Sequence, residues 1–129
     1  MPSQFVKGGK YARADVAEQI GLPSHRRSGG NWVTGYDTWN SEVFIFCNVG
    51  TAGRTGHDYP NEWVGEELVW YGKTGTHRNQ KLIRKLTGGG MPVHIFWRSK
   101  DRDAFAYAGV AQAVEVANTS PVRVRWRFR

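Results

Sequence analysis

The residues with most chemistry to offer lie in two glycine-rich stretches. Gly50-Thr51-Ala52-Gly53-Arg54-Thr55-Gly56-His57-Asp58-Tyr59 sets a guanidinium, an imidazole, a carboxylate and a phenol on backbone that can approach a ligand closely. Gly72-Lys73-Thr74-Gly75-Thr76-His77-Arg78-Asn79-Gln80 adds an ammonium, a second imidazole and a second guanidinium among hydroxyls and amides. Arg54, His57, Lys73, Thr74, His77, Arg78 and Gln80 suit phosphate oxygens, and Arg54 and His57 also suit a base edge. Asp58 accepts hydrogen bonds, which fits an exocyclic amino group such as that of cytosine. Tyr59, Trp63 and Tyr71, with Trp32 and Tyr36 upstream, carry flat faces on which an extruded base can stack.

The same residues fit catalysis poorly. Gly72-Lys73-Thr74 imitates the end of a phosphate-binding loop, but that motif needs a glycine at position 67, where the chain has Glu67. His25, His57, His77 and His94 are scattered and Cys47 lies in an apolar run, so no zinc-ligand spacing exists and no metal or cofactor is expected. No acidic cluster suits a nuclease magnesium ion. His57 beside Asp58 leaves a small hydrolase or nuclease as the enzymatic alternative.

Charge supports binding. The net charge is +7, and residues 65–129 hold twelve Lys/Arg against five Asp/Glu, whereas residues 1–64 hold six of each. One-sided basic charge is the footprint of a protein that displaces counterions from phosphates. The alternation Val122-Arg123-Val124-Arg125-Trp126-Arg127-Phe128-Arg129 sets arginines along one strand face, where they repel unless something anionic lies across them. Arg123 and Arg125 are therefore further backbone contacts, as are Arg26 and Arg27 in the basic loop His25–Gly30.

These groups need a scaffold, and 129 residues with 40% hydrophobic side chains suffice for one domain. The lone Cys47 has no disulfide partner and fits a reducing, cytoplasmic setting, and no apolar stretch approaches membrane-spanning length. A short helix is expected within Ala12–Leu22, capped by Asp15 and stopped by Gly21, and a second from Thr76 to Leu86. Strands are expected at Asn31–Tyr36, Val43–Val49, Leu68–Tyr71, Pro92–Trp97, Phe105–Val110 and the C-terminal alternation, with Gln112–Val116 continuing past a bulge. The Asn31–Tyr36 strand would put Trp32, Thr34 and Tyr36 on one side. The fold class is α+β, a strongly curved, barrel-like mixed or antiparallel sheet with about two helices. Its core spans about 11–116 and a basic strand 121–129 follows.

Tyr11-Ala12-Arg13-Ala14-Asp15-Val16, Gly29-Gly30, Trp70-Tyr71-Gly72-Lys73-Thr74-Gly75, Asn79-Gln80, Val93-His94-Ile95-Phe96 and Tyr107-Ala108-Gly109 follow one another in an order that resembles a known group. The group comprises modification-reading domains of Mcr-type HNH restriction endonucleases, among them the phosphorothioate-DNA-binding domain, and the related SRA and other PUA-like readers. The resemblance implies a PUA-like or SRA-like curved sheet and a double-stranded, modified DNA partner. It also implies base flipping, as in SRA members, and a nuclease domain elsewhere in a parent protein. Lys73 stands where the phosphorothioate readers usually carry an acidic residue, and the neighbouring loop offers Arg54, His57 and Asp58 instead of an apolar sulfur pocket. A methylated or hydroxymethylated cytosine is therefore favoured over phosphorothioate. RNA, which PUA-like domains also read, is a further alternative.

Overall fold

The computed structural model describes residues 4–50, 61–100 and 102–129. Arg54, His57, Asp58 and Tyr59 lie outside the described residues. In chain order the elements are β1 (Lys10–Tyr11), α1 (Arg13–Ile20), α2 (Asn31–Thr34), β2 (Tyr36–Trp39), β3 (Glu42–Asn48), β4 (Glu62–Val64), β5 (Glu67–Tyr71), α3 (Lys81–Thr87), β6 (Val93–Arg98), β7 (Phe105–Val116) and β8 (Arg123–Phe128). One curved, unclosed sheet runs β2-β3-β6-β7-β8-β5-β4, with β1 added to β7. It is mixed: β3 and β6 run parallel, from Val43 opposite Val93 to Asn48 opposite Arg98, and the other pairs are antiparallel.

The apolar run at β3 reads as a central strand because both of its faces are covered. Val43, Ile45 and Cys47 point to an inner face, where they pack with Trp70, Val124 and Trp126 and with Ile83 and Leu86 of α3. Phe44 and Phe46 point to the outer face, where Phe96, Phe105 and Tyr107 join Val16, Ala17, Leu22 and Trp32 from the helical side. Full burial of such side chains stabilises by roughly 1.5–3 kcal/mol each. The outer face is thus covered by α1 and α2 over β3, β6 and β7, and carries charged side chains over β8, β5 and β4. Irregular pairing between Ile95 and Phe96 and between Ala113 and Glu115 adds twist along β7, which bends the sheet.

Local outcomes differ from expectation where long-range contacts decide. Asn31–Thr34 is a helical turn, not a strand, between Gly30 at φ 63° and Gly35 at φ 138°. That turn drives Trp32 into Phe44 and Phe46, at ring distances of 5.7 and 5.1 Å, and leaves β2 to begin at Tyr36. In α1, Asp15 stands inside the first turn rather than at the cap, and its Oδ2 accepts the Ala12 N–H at 2.8 Å. Gly21 ends α1 at φ 73°, as expected, with the Leu22 N–H bonded to the Ala17 carbonyl. α3 starts at Lys81 instead of at Thr76, whose hydroxyl is engaged elsewhere. β7 is one continuous strand through Val116.

Candidate nucleic-acid interface

One end of the sheet brings Gly50 and Asn61, which flank residues 51–60, beside the second glycine-rich stretch. On either side of residues 51–60, the Gly50 N–H donates to the Asn61 carbonyl at 3.0 Å. The Asn61 side chain donates through Nδ2 to the Asn48 carbonyl (2.9 Å), while Oδ1 accepts the Tyr71 N–H (2.8 Å). One amide side chain therefore bridges the end of β3 to the end of β5 and sets Asn61 beside the Tyr71–Gly75 turn.

That turn is wound by Thr76. Its hydroxyl donates to the Lys73 carbonyl at 2.6 Å and accepts the Val122 N–H at 3.3 Å. Gly72 is needed here, because a Cβ would come within 2.6 Å of Thr76 Oγ1 and 2.9 Å of Val122 Cγ1. Gln80 caps α3 and braces the same turn, with Oε1 accepting from the His77 N–H (3.2 Å) and Nε2 donating to the Gly75 carbonyl (3.4 Å). Thr74, His77 and Arg78 are left exposed at its crest.

Lys73 turns inward instead. Its ammonium lies 4.6 Å from the Tyr36 ring centroid and donates to Asn31 Oδ1 at 3.1 Å, and its backbone N–H reaches the Tyr36 hydroxyl at 3.4 Å. Burial lowers the Lys73 pKa while the Asp37 charge opposes the fall, and burial raises that of Tyr36. Lys73 thus joins α2, β2 and the turn.

Arg26 and Arg27 are engaged within the chain. Arg26 donates to Asp37 Oδ2 at 3.1 Å and to the Thr38 carbonyl at 3.2 Å, 5.3 Å from the Trp39 ring. Arg27 donates to the Leu22 carbonyl at 2.6 Å and to Glu18 at 3.0 Å. Beside Arg26, an open hollow of about 510 Å³ is lined by His25, Gly29, Gly30, Asn31 and Asp37.

Among the described residues, the four pocket aromatics do not converge. Trp32 is 1% exposed, a core residue rather than a pocket wall. Tyr36 faces inward, 5.2 Å from the Trp70 ring. Trp63 packs on Trp97 (5.6 Å) and Phe128 (5.5 Å), lining a cleft of about 790 Å³ with Lys7 and Arg127. Tyr71 is on the outer face, in a hollow of about 190 Å³ with Glu62, Glu115, Arg123 and Arg125. Tyr71 alone of these four stands beside both the turn and Asn61 on an accessible face.

The β8 arginines do face outward together, but the expected anion is supplied by the chain. Glu67 accepts from Arg127 at 2.8 Å and from Arg125 at 3.3 Å, and Glu115 lies 3.8 Å from Arg123. The hydrogen bond from Arg127, more than the charge of either arginine, holds the Glu67 carboxyl below its usual pKa against some opposing burial. Glu67, assigned no role from sequence, is the centre of that face.

A second feature missed in the sequence is a sealed chain of polar groups. His94, 0% exposed, links Glu42 Oε1 (2.7 Å from Nε2) to the Tyr107 hydroxyl (2.8 Å from Nδ1). Burial lowers the His94 pKa, outweighing the Glu42 carboxylate, and pushes that of Tyr107 up to about 12. The neutral ring then donates from Nε2 to Glu42 and accepts at Nδ1 a hydrogen bond from the Tyr107 hydroxyl. Phe44 stacks on it at 5.2 Å and Phe5 caps it edge-on at 5.4 Å, leaving no path for a substrate. Only the alternation around His94, which puts it on the face of Phe44 and Phe96, could have signalled this.

The sequence matches no described protein family and no curated protein. Among solved structures it is similar to the SRA domain of SUVH5, determined in complex with hemi-methylated CG DNA. The likeness has a TM-score of 0.62 at 14% identity and covers 99% of this chain and 90% of that one. The fold is therefore SRA-like.

Proposed function

We propose that this protein is a non-catalytic module that binds double-stranded DNA and reads a modified cytosine, methylated or hydroxymethylated, by extruding the base. The likeness along the whole chain to a domain held on hemi-methylated DNA carries this reading. The geometry supports it: Asn61, which with Gly50 flanks the stretch bearing Arg54, His57, Asp58 and Tyr59, is fastened beside Tyr71 and the crest of Thr74, His77 and Arg78. In this reading Asp58 accepts from the cytosine amino group, Tyr59 and Tyr71 stack on the base, and the crest engages phosphates. Cleavage in a modification-dependent restriction system would then come from a separate nuclease domain.

A binding panel tests it: duplexes with methylcytosine, hydroxymethylcytosine, phosphorothioate or no modification, each at two salt concentrations. A modified-cytosine duplex should bind tightest, and Asp58→Ala should erase that preference while leaving plain duplex affinity nearly unchanged. Equal loss on both duplexes would remove Asp58 from the pocket, and equal binding of all four would end the reader assignment.

A further inference from the structure

Between Glu67 and Asp101 the chain has no acidic residue, yet it has Lys73, Arg78, Lys81, Arg84, Lys85, Arg98 and Lys100. The fold sorts these cations. Lys73 is turned onto Tyr36, and Arg98 donates to Asn48 Oδ1 at 2.6 Å. Arg78, Lys81, Arg84 and Lys85 are exposed, and among the described residues no carboxylate reaches them.

Helical geometry aligns three of them. At 100° per residue, Lys81, Arg84 and Lys85 fall within an arc of about 100°, opposite the buried Ile83 and Leu86. The helix cannot rotate this stripe away, because Ile83 and Leu86 are each 1% exposed in the inner core. Arg78 extends the stripe from the turn that Gln80 braces. Unpaired cations at adjacent turns repel by a few tenths of a kcal/mol per pair, and a polyanion relieves that cost.

The geometry points to the outer stripe of α3, Lys81, Arg84 and Lys85 with Arg78, as a phosphate-tracking surface for the DNA backbone, separate from base recognition. This rests on the DNA-reader proposal and extends its footprint past the turn. Two lysines and two arginines on a one-sided stripe engage phosphate without reading sequence, so the surface sets affinity and leaves modification preference alone.

The test compares wild type with K81Q/R84Q/K85Q, which keeps helix-forming side chains, on one methylcytosine duplex and its plain counterpart across a salt series. Loss of three phosphate contacts lowers the slope of log K against log salt by about 2–3 on both duplexes, with their affinity ratio unchanged. Thermal melts check folding, and R84Q alone should lower the slope by about 1. An unchanged slope in the triple variant, or a changed ratio, overturns the surface while the reader proposal stands. Wild type that binds no duplex overturns both, and binding to anionic lipid vesicles alone would assign the stripe to a membrane instead.

Discussion

The outer face of β8 and the outer stripe of α3 are both rich in basic side chains, and they end in opposite states. On β8, Glu67 joins Arg125 to Arg127, and Glu115 approaches Arg123. On α3 and the turn before it, Arg78, Lys81, Arg84 and Lys85 face outward, with no carboxylate near them among the described residues. Register makes the difference. Antiparallel pairing sets the strand that holds Glu67 beside β8, and brings Glu115 of β7 opposite Arg125. The helix turns its cations away from the core that Ile83 and Leu86 enter. A row of arginines therefore says little about a ligand until the adjacent strands are known.

The largest expected effect breaks the comparison on the α3 side. Gly72→Ala places a methyl against Thr76 and Val122 and should cost about 1–3 kcal/mol, as overpacking does. Because the same turn leads into α3, duplex affinity should fall with the urea midpoint, and modified and plain DNA should lose alike. Full affinity with normal stability would show that the turn adapts.

A second test sharpens the comparison by disturbing the fold away from both basic regions. Tyr107→Phe leaves His94 Nδ1 without its donor and should cost about 1–3 kcal/mol, read by denaturant melts, with the salt slope unaltered. His94 also gives stability a pH dependence. Its folded pKa is lowered, so its contribution is complete above the unfolded value of about 6.5 and declines as pH falls below it. Melting temperatures that rise on acidification from pH 7 to 5.5 would contradict the neutral, sealed ring.

The smallest effect comes from unpairing the β8 arginines. Glu67→Gln removes the carboxylate between Arg125 and Arg127, and should steepen the salt dependence of plain-duplex binding slightly. Acid should mimic it, because the lowered Glu67 pKa makes the pairing complete above about 4.5 and lost as pH falls further. An unchanged salt slope would mean that this face lies beyond the DNA.

Much of the scaffold was legible in the sequence because it follows from local periodicity. The unbroken apolar run at β3, the alternation at β8 and Gly21 at the end of α1 each state their own structure. What was hidden depends on partners distant in the chain. Trp32-Val33-Thr34 has strand-forming side chains, but Gly30 and Gly35 bend it into a helical turn that seats Trp32 against Phe44 and Phe46. Thr76 resembles a helix cap until Val122 takes its hydroxyl. Lys73 looks like a surface cation until Tyr36 and Asn31 meet it. Asn61 carried no signal, since joining two strands across a curved sheet is visible only once the curve exists. Of the candidate site, the second glycine-rich stretch was legible as an exposed polar crest, but not as a division between cations that the fold uses and cations that it leaves outside.

The first and last strands carry a different consequence. Lys7 Nζ donates to the Arg129 carbonyl at 2.7 Å, and Gly8 and Arg129 both bond to β7, through the Tyr107 and Val110 carbonyls. The path that leaves this corner just before β1 returns to it just after β8, so the segments flanking the sheet's first and last strands lie side by side. A short tether joining the two strands would leave the contacts of the folded state in place and restrict only the unfolded chain. Its gain would be entropic, and would leave both basic regions as they stand.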